Sequence, residues 1–266
     1  MKKGISFLMF FCLIFFLVLS SVGCSNNTAT DNKTSHDEST ITIAAAASLK
    51  NCLDGKLVPM FEEKYSNIKV KATYDSSGKL QTQIEEGAEV DIFMSAAMKQ
   101  MNALDQKGLI AKDSIVQLLV NKIVLIVPEN NTKEISKFED ILKADKIAIG
   151  DPASVPAGQY AQEVLTSLNI WDEVAGKASL GTNVTEVLSW VAEGSADAGI
   201  VYSTDAAANE KVKVVAEAPE GSVAKVIYPV GIVKAGKNEA AAKKFIEFLQ
   251  TEEAKKVFAS FGFATK

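Results

Sequence analysis

Residues 41–51 read ITIAAAASLKN, and this stretch sets the fold class. Ile41–Ala46 reads as a buried strand. Ser48 then stands ahead of Leu49, Cys52, Leu53, Leu57, Met60 and Phe61, which recur at helical spacing. Pro59 predicts a kink in that helix. Outward from here the alternation continues. Strands are expected at Ile68–Tyr74 and Asp91–Met94, with a short helix marked by Leu80 and Ile84 between them. A helix carrying Met98, Met101, Leu104 and Leu109 follows. The long apolar stretch Ile115–Val127 is expected to carry the chain across a hinge. The pattern restarts with strand Lys146–Ile149, helices Gly158–Leu168 and Thr185–Val191, and strand Ala198–Tyr202. Val212–Val215 and Val223–Val233 follow as strands, the second long enough to cross back. The chain ends in helices whose apolar faces carry Ala241, Phe245, Ile246 and Leu249, then Val257, Phe258 and Phe261. Such alternation implies an α/β fold with parallel-rich sheets covered by helices. Two lobes joined by two crossings place a ligand cleft at the hinge. The expected lobes are 41–122 plus 231–266, and 123–230.

Composition removes whole classes of chemistry. The chain has 266 residues, and all 28 of its basic residues are Lys; its single His is His36. A His-centred triad or a His general base is therefore excluded from the folded part. No guanidinium fork can clamp a phosphate or carboxylate. The net charge of −5 and the lack of a basic run argue against nucleic-acid binding.

The first residues read as an export signal. Lys2 and Lys3 precede an apolar run from Ile5 to Leu19, short of a membrane span. Ser20, Ser21 and Gly23 lead to Cys24, so residues 1–23 are expected to be a signal peptide and Cys24 a lipid-anchored N-terminus. Ser21 departs from the Leu usual three positions before such a Cys. Residues 24–40 are polar and without periodicity, as a tether between membrane and domain would be. Cleavage leaves 26 Lys against 33 acidic residues, a balance of −7. Cys52 is then alone, and no intramolecular disulfide is expected. It reads as a small core residue.

The strand-to-helix junctions carry the functional signal. Ser48 in AAAASLK is expected as an N-cap, and Ser76 and Ser77 precede Leu80 in the same way. In GDPASVPAGQYAQ, Pro156 suits a first turn, and Ala157 and Gly158 are small enough for close backbone approach. Helix N-termini offer unpaired N–H donors and partial positive charge. Several converging on one cleft would bind a dianion without a cation. Other motifs are weaker. Ser76–Lys79 fits the S-x-x-K signature of acyl-enzymes, but its companion motifs are absent. Gly78-Lys79 is no P-loop, because Thr73 replaces the first Gly and Leu80 the Ser/Thr. Asp151 reads as a turn residue, and Asp205 as an early-helix residue complementing a dipole, not as partners of Asp91 in a cluster.

At these junctions the chain resembles the molybdate-binding proteins of bacterial ABC transporters, within the periplasmic binding protein class. The segments are ITIAAAASLKN, SSGKLQTQIEEGAEVDIFMSA, GDPASVPAGQYAQEVL, NVTEVLSWVAEGSADAGIVYSTDA and YPVGIV, with terminal helices ending FGF. They run in one order over essentially all of 41–266. The resemblance implies a type II periplasmic-binding-protein fold, each lobe a mixed sheet, closing on molybdate or tungstate. It implies contacts from Ser48 and Ser77 through hydroxyl and N–H, from the N–H groups of Ala157 and Val184, and from the Tyr202 hydroxyl. These five residues are the only metal-oxyanion ligands implied. Ser76 could take the role of Ser77, and Asp75 is expected to point away. The implied protein is a monomer that catalyses nothing, needs no cofactor, and hands its ligand to ABC permease subunits outside the cytoplasm. A receptor for sulfate, and a secreted hydrolase using Ser48 or Ser76 with a Lys, are the alternatives. A donor-only site would vary little in affinity near neutral pH.

Overall fold

The computed structural model describes residues 38–265. The expected signal peptide, Cys24, His36 and most of the tether lie outside these residues. The first sheet starts with β1 (Ser39–Ala46), flanked by β2 (Ile68–Asp75) and β3 (Ile92–Met94), all parallel. Two strands from later in the chain extend it in antiparallel pairing: β4 (Val116–Asn121) and β10 (Val226–Ile232), with short β11 (Ala264–Thr265) on the edge. The order is β11-β4-β10-β3-β1-β2. The second sheet holds β5 (Ile123–Pro128), β6 (Ile147–Gly150), β7 (Ala178–Gly181), β8 (Ala198–Tyr202) and β9 (Val212–Glu217) in the order β7-β6-β8-β5-β9. Here β6 runs parallel to β7 and β8, while β5 is antiparallel to β8 and β9.

The stretch Ile115–Val127 is two strands, not one. Only Lys122 lies between β4 in the first sheet and β5 in the second. The return crossing also differs from expectation. The strand expected at Val223–Val233 starts at Val226 and pairs within the first sheet along its length, so residues 218–225 make the crossing. The expected boundary at 230/231 therefore falls inside β10.

Helices cover the sheets. After a 3₁₀ turn at Ala47–Leu49 come α1 (Lys50–Cys52) and α2 (Val58–Lys64), joined by a π turn over Leu53–Leu57. Pro59 has no N–H for the carbonyl of Gly55, and the helix widens in that turn. Then follow α3 (Ser77–Glu85), α4 (Met98–Gln106), α5 (Pro156–Ser167) and α7 (Val184–Ala192), close to their sequence-based spans. Short α6 (Trp171–Ala175), α8 (Ser203–Ala207), β7 and a 3₁₀ segment at Phe138–Lys143 had no clear periodic signal. The terminal α9 (Glu239–Leu249) returns to the first sheet, where Phe245 meets Phe61 edge-on at 4.9 Å; α10 (Glu252–Ser260) follows it. Asp91 explains part of that return. It is buried just before β3 and accepts N–H groups of Thr42 at 2.7 Å and Asn238 at 2.9 Å. A carboxylate satisfied this way ties β1 to the start of α9.

Candidate functional site

Four junctions converge between the two sheets. Ala46, Ala47 and Ser48 follow β1; Asp75, Ser76 and Ser77 join β2 to α3; Val155, Pro156 and Ala157 open α5; Val184 opens α7. With Ala96 and Tyr202 they line one small cavity, of about 10 Å³. All five residues expected to hold the ligand, Ser48, Ser77, Ala157, Val184 and Tyr202, are in this wall. No Lys lines it, so its polarity comes from hydroxyls, helix starts and one carboxylate, Asp75.

Each junction is built for close approach. Gly158 sits in the first turn of α5, where a Cβ would fall 1.9 Å from the Gly150 carbonyl oxygen. Gly78 does the same across the cleft. Its N–H donates to the Ser154 carbonyl at 2.9 Å, and a Cβ there would sit 2.3 Å from that oxygen. Gln100 Nε2 donates to Gln159 Oε1 at 3.1 Å, a second contact from the first sheet's helices to the second's. In α7 the Asn183 side chain caps the N–H of Glu186 at 3.0 Å. First-turn N–H groups have no intrahelical acceptor, so the N–H of Val184 is left for the cavity.

The serines behave differently from their expected capping roles. Ser48 is inside the 3₁₀ turn, whose N-cap is Ala46, and its hydroxyl lies 3.0 Å from the Tyr228 hydroxyl. Ser76 does occupy the N-cap of α3, yet its side chain makes no cap bond, and its buried Oγ has no partner among the described residues. Ser77 Oγ accepts the N–H of Ala96 at 3.0 Å. Asp75 forms part of the wall instead of turning away. Its carboxylate accepts the N–H of Ser76 at 2.7 Å and pairs with Lys79 Nζ at 3.3 Å, which offsets its charge. Lys50 is similarly paired, with Asp54 at 3.4 Å.

Tyr202 ends β8, and its buried hydroxyl has no partner among the described residues. Its ring packs edge-on against Tyr228 at 5.4 Å and Tyr160 at 6.5 Å. Burial pushes both the Tyr202 and Tyr228 phenols well above their ordinary pKa, so both keep their protons. Asp205 stands in the first turn of α8, as expected. It is buried in α8 with Oδ2 unpartnered, and burial raises its pKa to about 7 against the pull of a backbone hydrogen bond at Tyr202. Cys52 is a buried free thiol pushed up to about 12 by desolvation, an inert core residue. No cluster of three potential metal-ligating side chains occurs among the described residues.

Sequence reasoning missed Asn121. Its Nδ2 donates to Thr204 Oγ1 at 2.9 Å and to the Tyr228 hydroxyl at 3.2 Å. Its Oδ1 accepts from Lys122 N–H at 2.8 Å and Ser203 Oγ at 2.9 Å. The one available signal was the polar pair Asn121-Lys122 interrupting an apolar run.

Two sheets facing a small, cation-free cavity lined by helix starts define a two-lobed solute-capturing protein. The family model for bacterial extracellular solute-binding proteins matches residues 41–264, and the chain belongs to that family. It is 41% identical over 231 residues to the molybdate-binding protein ModA of Haemophilus influenzae, covering 85% of this chain and 90% of that one. A Bacillus subtilis protein, YvgL, provisionally named as an ABC transporter substrate-binding lipoprotein, is 42% identical over 244 residues, covering 92% and 93%. Among solved structures, the substrate-binding domain of a provisionally named molybdenum ABC transporter from Clostridium difficile aligns with a TM-score of 0.66 at 43% identity. That alignment covers 86% of this chain and 99% of the other.

Proposed function

We propose that this protein captures molybdate or tungstate outside the cytoplasm and delivers it to the membrane subunits of an ABC transporter. It is a solute-binding protein and not an enzyme. The observation that carries the reading is the cavity wall: hydroxyls and helix N-termini from both sheets, with the Tyr202 hydroxyl buried and unpartnered beside them. Molybdate is fully deprotonated at neutral pH and needs donors alone. Each hydrogen bond to a charged group contributes about 1.5–3 kcal/mol net, enough in sum to exceed the several kcal/mol cost of association. In this reading Ser48 and Ser77 act through hydroxyl and N–H, Ala157 and Val184 through N–H, and Tyr202 through its hydroxyl. The lobes are taken to divide at Lys122 and within 218–225. The likeness to YvgL supports Cys24 as a lipid anchor with residues 25–40 as its tether, and the protein is taken to act as a monomer.

Calorimetric titration with molybdate, tungstate, sulfate and phosphate tests the ligand. Sub-micromolar molybdate binding with sulfate silent is the expected result. Sulfate binding as tightly as molybdate would overturn it in favour of a general oxyanion receptor. Release of a Cys24→Ala variant from the membrane fraction tests the anchor.

A further inference from the structure

We propose that Asn121 and Tyr228 are positioning residues that fix the Ser48 hydroxyl as a proton donor toward the bound oxyanion. The inference rests on Ser48 being a ligand residue, as proposed above. It follows from counting protons along one chain of contacts. Lys122 N–H is a backbone group and can only donate, so the Asn121 side-chain atom 2.8 Å from it is the oxygen. That oxygen's second lone pair takes Ser203 Oγ–H. The other side-chain atom is then the amide nitrogen, whose two protons go to Thr204 Oγ1 and to the Tyr228 oxygen. Asn121 is saturated, and its orientation leaves no alternative.

Tyr228 therefore accepts from Asn121 and has one proton of its own. The phenol is buried, and the one acceptor placed for it in hydrogen-bond geometry among the described residues is Ser48 Oγ at 3.0 Å, since the neighbouring Tyr202 hydroxyl makes no such bond. A buried hydroxyl donates where it can. Ser48 Oγ thus accepts from Tyr228, and its own proton is free to point into the cavity that Ser48 lines. The sequence amide to phenol to serine hydroxyl to oxyanion has a single direction. Polarisation along such a chain strengthens its last bond. The same polarity recurs at Ser77, whose Oγ accepts a backbone N–H from Ala96 and so turns its proton elsewhere.

The consequence is selectivity by protonation state. A fully deprotonated dianion can accept from both serines. A hydrogen phosphate brings its own proton, which needs an acceptor; Ser48 Oγ has one of its two lone pairs engaged by Tyr228, and the Asp75 carboxylate in the wall is already engaged by Ser76 N–H and Lys79 Nζ. Tyr228 and Asn121, neither of which lines the cavity, would thereby bias the site against protonated oxyanions.

A double-mutant cycle between Tyr228→Phe and Ser48→Ala tests this by calorimetry, with circular dichroism as a folding check. The anions are molybdate, tungstate, sulfate and inorganic phosphate. Tyr228→Phe is expected to weaken molybdate binding about tenfold when Ser48 is present and less than about twofold in the Ser48→Ala background. The margin over phosphate is expected to narrow in Tyr228→Phe alone. Equal losses in both backgrounds, or none in either, would overturn the inference. If Tyr228→Phe does not fold, Asn121→Asp enters the same cycle. Its new oxygen draws the Tyr228 proton away and forces Ser48 to donate backwards, so the loss should again depend on Ser48. A wild-type chain silent toward molybdate, tungstate and sulfate overturns the ligand reading itself. A chain that binds but shows no coupling overturns only this inference.

Discussion

The two halves of the cavity wall are made from different chemistry. The half from the first sheet presents the side-chain hydroxyls of Ser48, Ser76 and Ser77. The half from the second sheet presents helix starts at Ala157 and Val184, plus the Tyr202 phenol. A hydroxyl rotates, so its direction has to be set by neighbours, as Tyr228 and Ala96 do here. A backbone N–H is aimed by the fold itself. The first half is therefore sensitive to remote polar substitutions, and the second to changes that move a helix.

The largest expected effect breaks the second half. Gly158→Ala drives a Cβ into the Gly150 carbonyl and must shift β6 against α5. A loss of about 3 kcal/mol in stability is expected, read by denaturant unfolding. A fully stable variant would mean the junction has more slack than its geometry shows. Next is Tyr202→Phe, which removes the hydroxyl proposed to donate to the oxyanion while sparing the ring packing. Binding should weaken by about 1–3 kcal/mol in a molybdate titration. Unchanged affinity would remove Tyr202 from the site.

Asp205 supplies a pH-dependent contrast. Its folded pKa near 7 lies above the ordinary carboxylate value of 3.8. Between those values the native state holds a proton that the unfolded chain has lost. Stability therefore declines as pH rises from about 4 to about 7, with a slope approaching about 1.4 kcal/mol per unit, and levels off above. Asp205→Asn should abolish that slope. An unaltered pH profile in the variant would assign the slope to other groups. The pH-flat behaviour expected of the donors thus concerns binding, while a group behind them makes folding pH-sensitive. The smallest effects separate the neighbouring serines. Ser77→Ala orphans the buried N–H of Ala96 and should cost about 1–2 kcal/mol of stability. Ser76→Ala removes an unpartnered hydroxyl and should leave stability within about 0.5 kcal/mol. Equal melting shifts for the two would show that this distinction is not real.

Much of this was readable in order along the chain. Strand–helix alternation set the architecture because each element's periodicity is local. The junction readings reached Ser48, Ser77 and Ala157, since small and hydroxylic residues at helix starts have a physical reason to be there, while Val184 and Tyr202 followed from the family resemblance alone. What stayed hidden depends on distance in sequence. Ser48 and Tyr228 are 180 residues apart, and Asn121 and Tyr228 are 107 apart. No local pattern marks such pairs. Ser48 also matched an N-cap pattern it does not fulfil, because a capping serine and a serine inside a 3₁₀ turn look alike after a strand. The break at Lys122 was hidden by apolar residues on both sides, which read as one run.

The two crossings between the sheets are unequal, one residue at Lys122 against eight over 218–225. Strand side chains alternate faces, so a single inserted residue at the short crossing would turn β5 inside out relative to the second sheet's core. The long crossing carries no such register. Its Gly221, at a φ of +76° and with open space around it, is where the chain could accept foreign sequence. A fluorescent reporter spliced there would sit on the strand-free connection between the sheets, and the molecule would become a sensor for its own cargo.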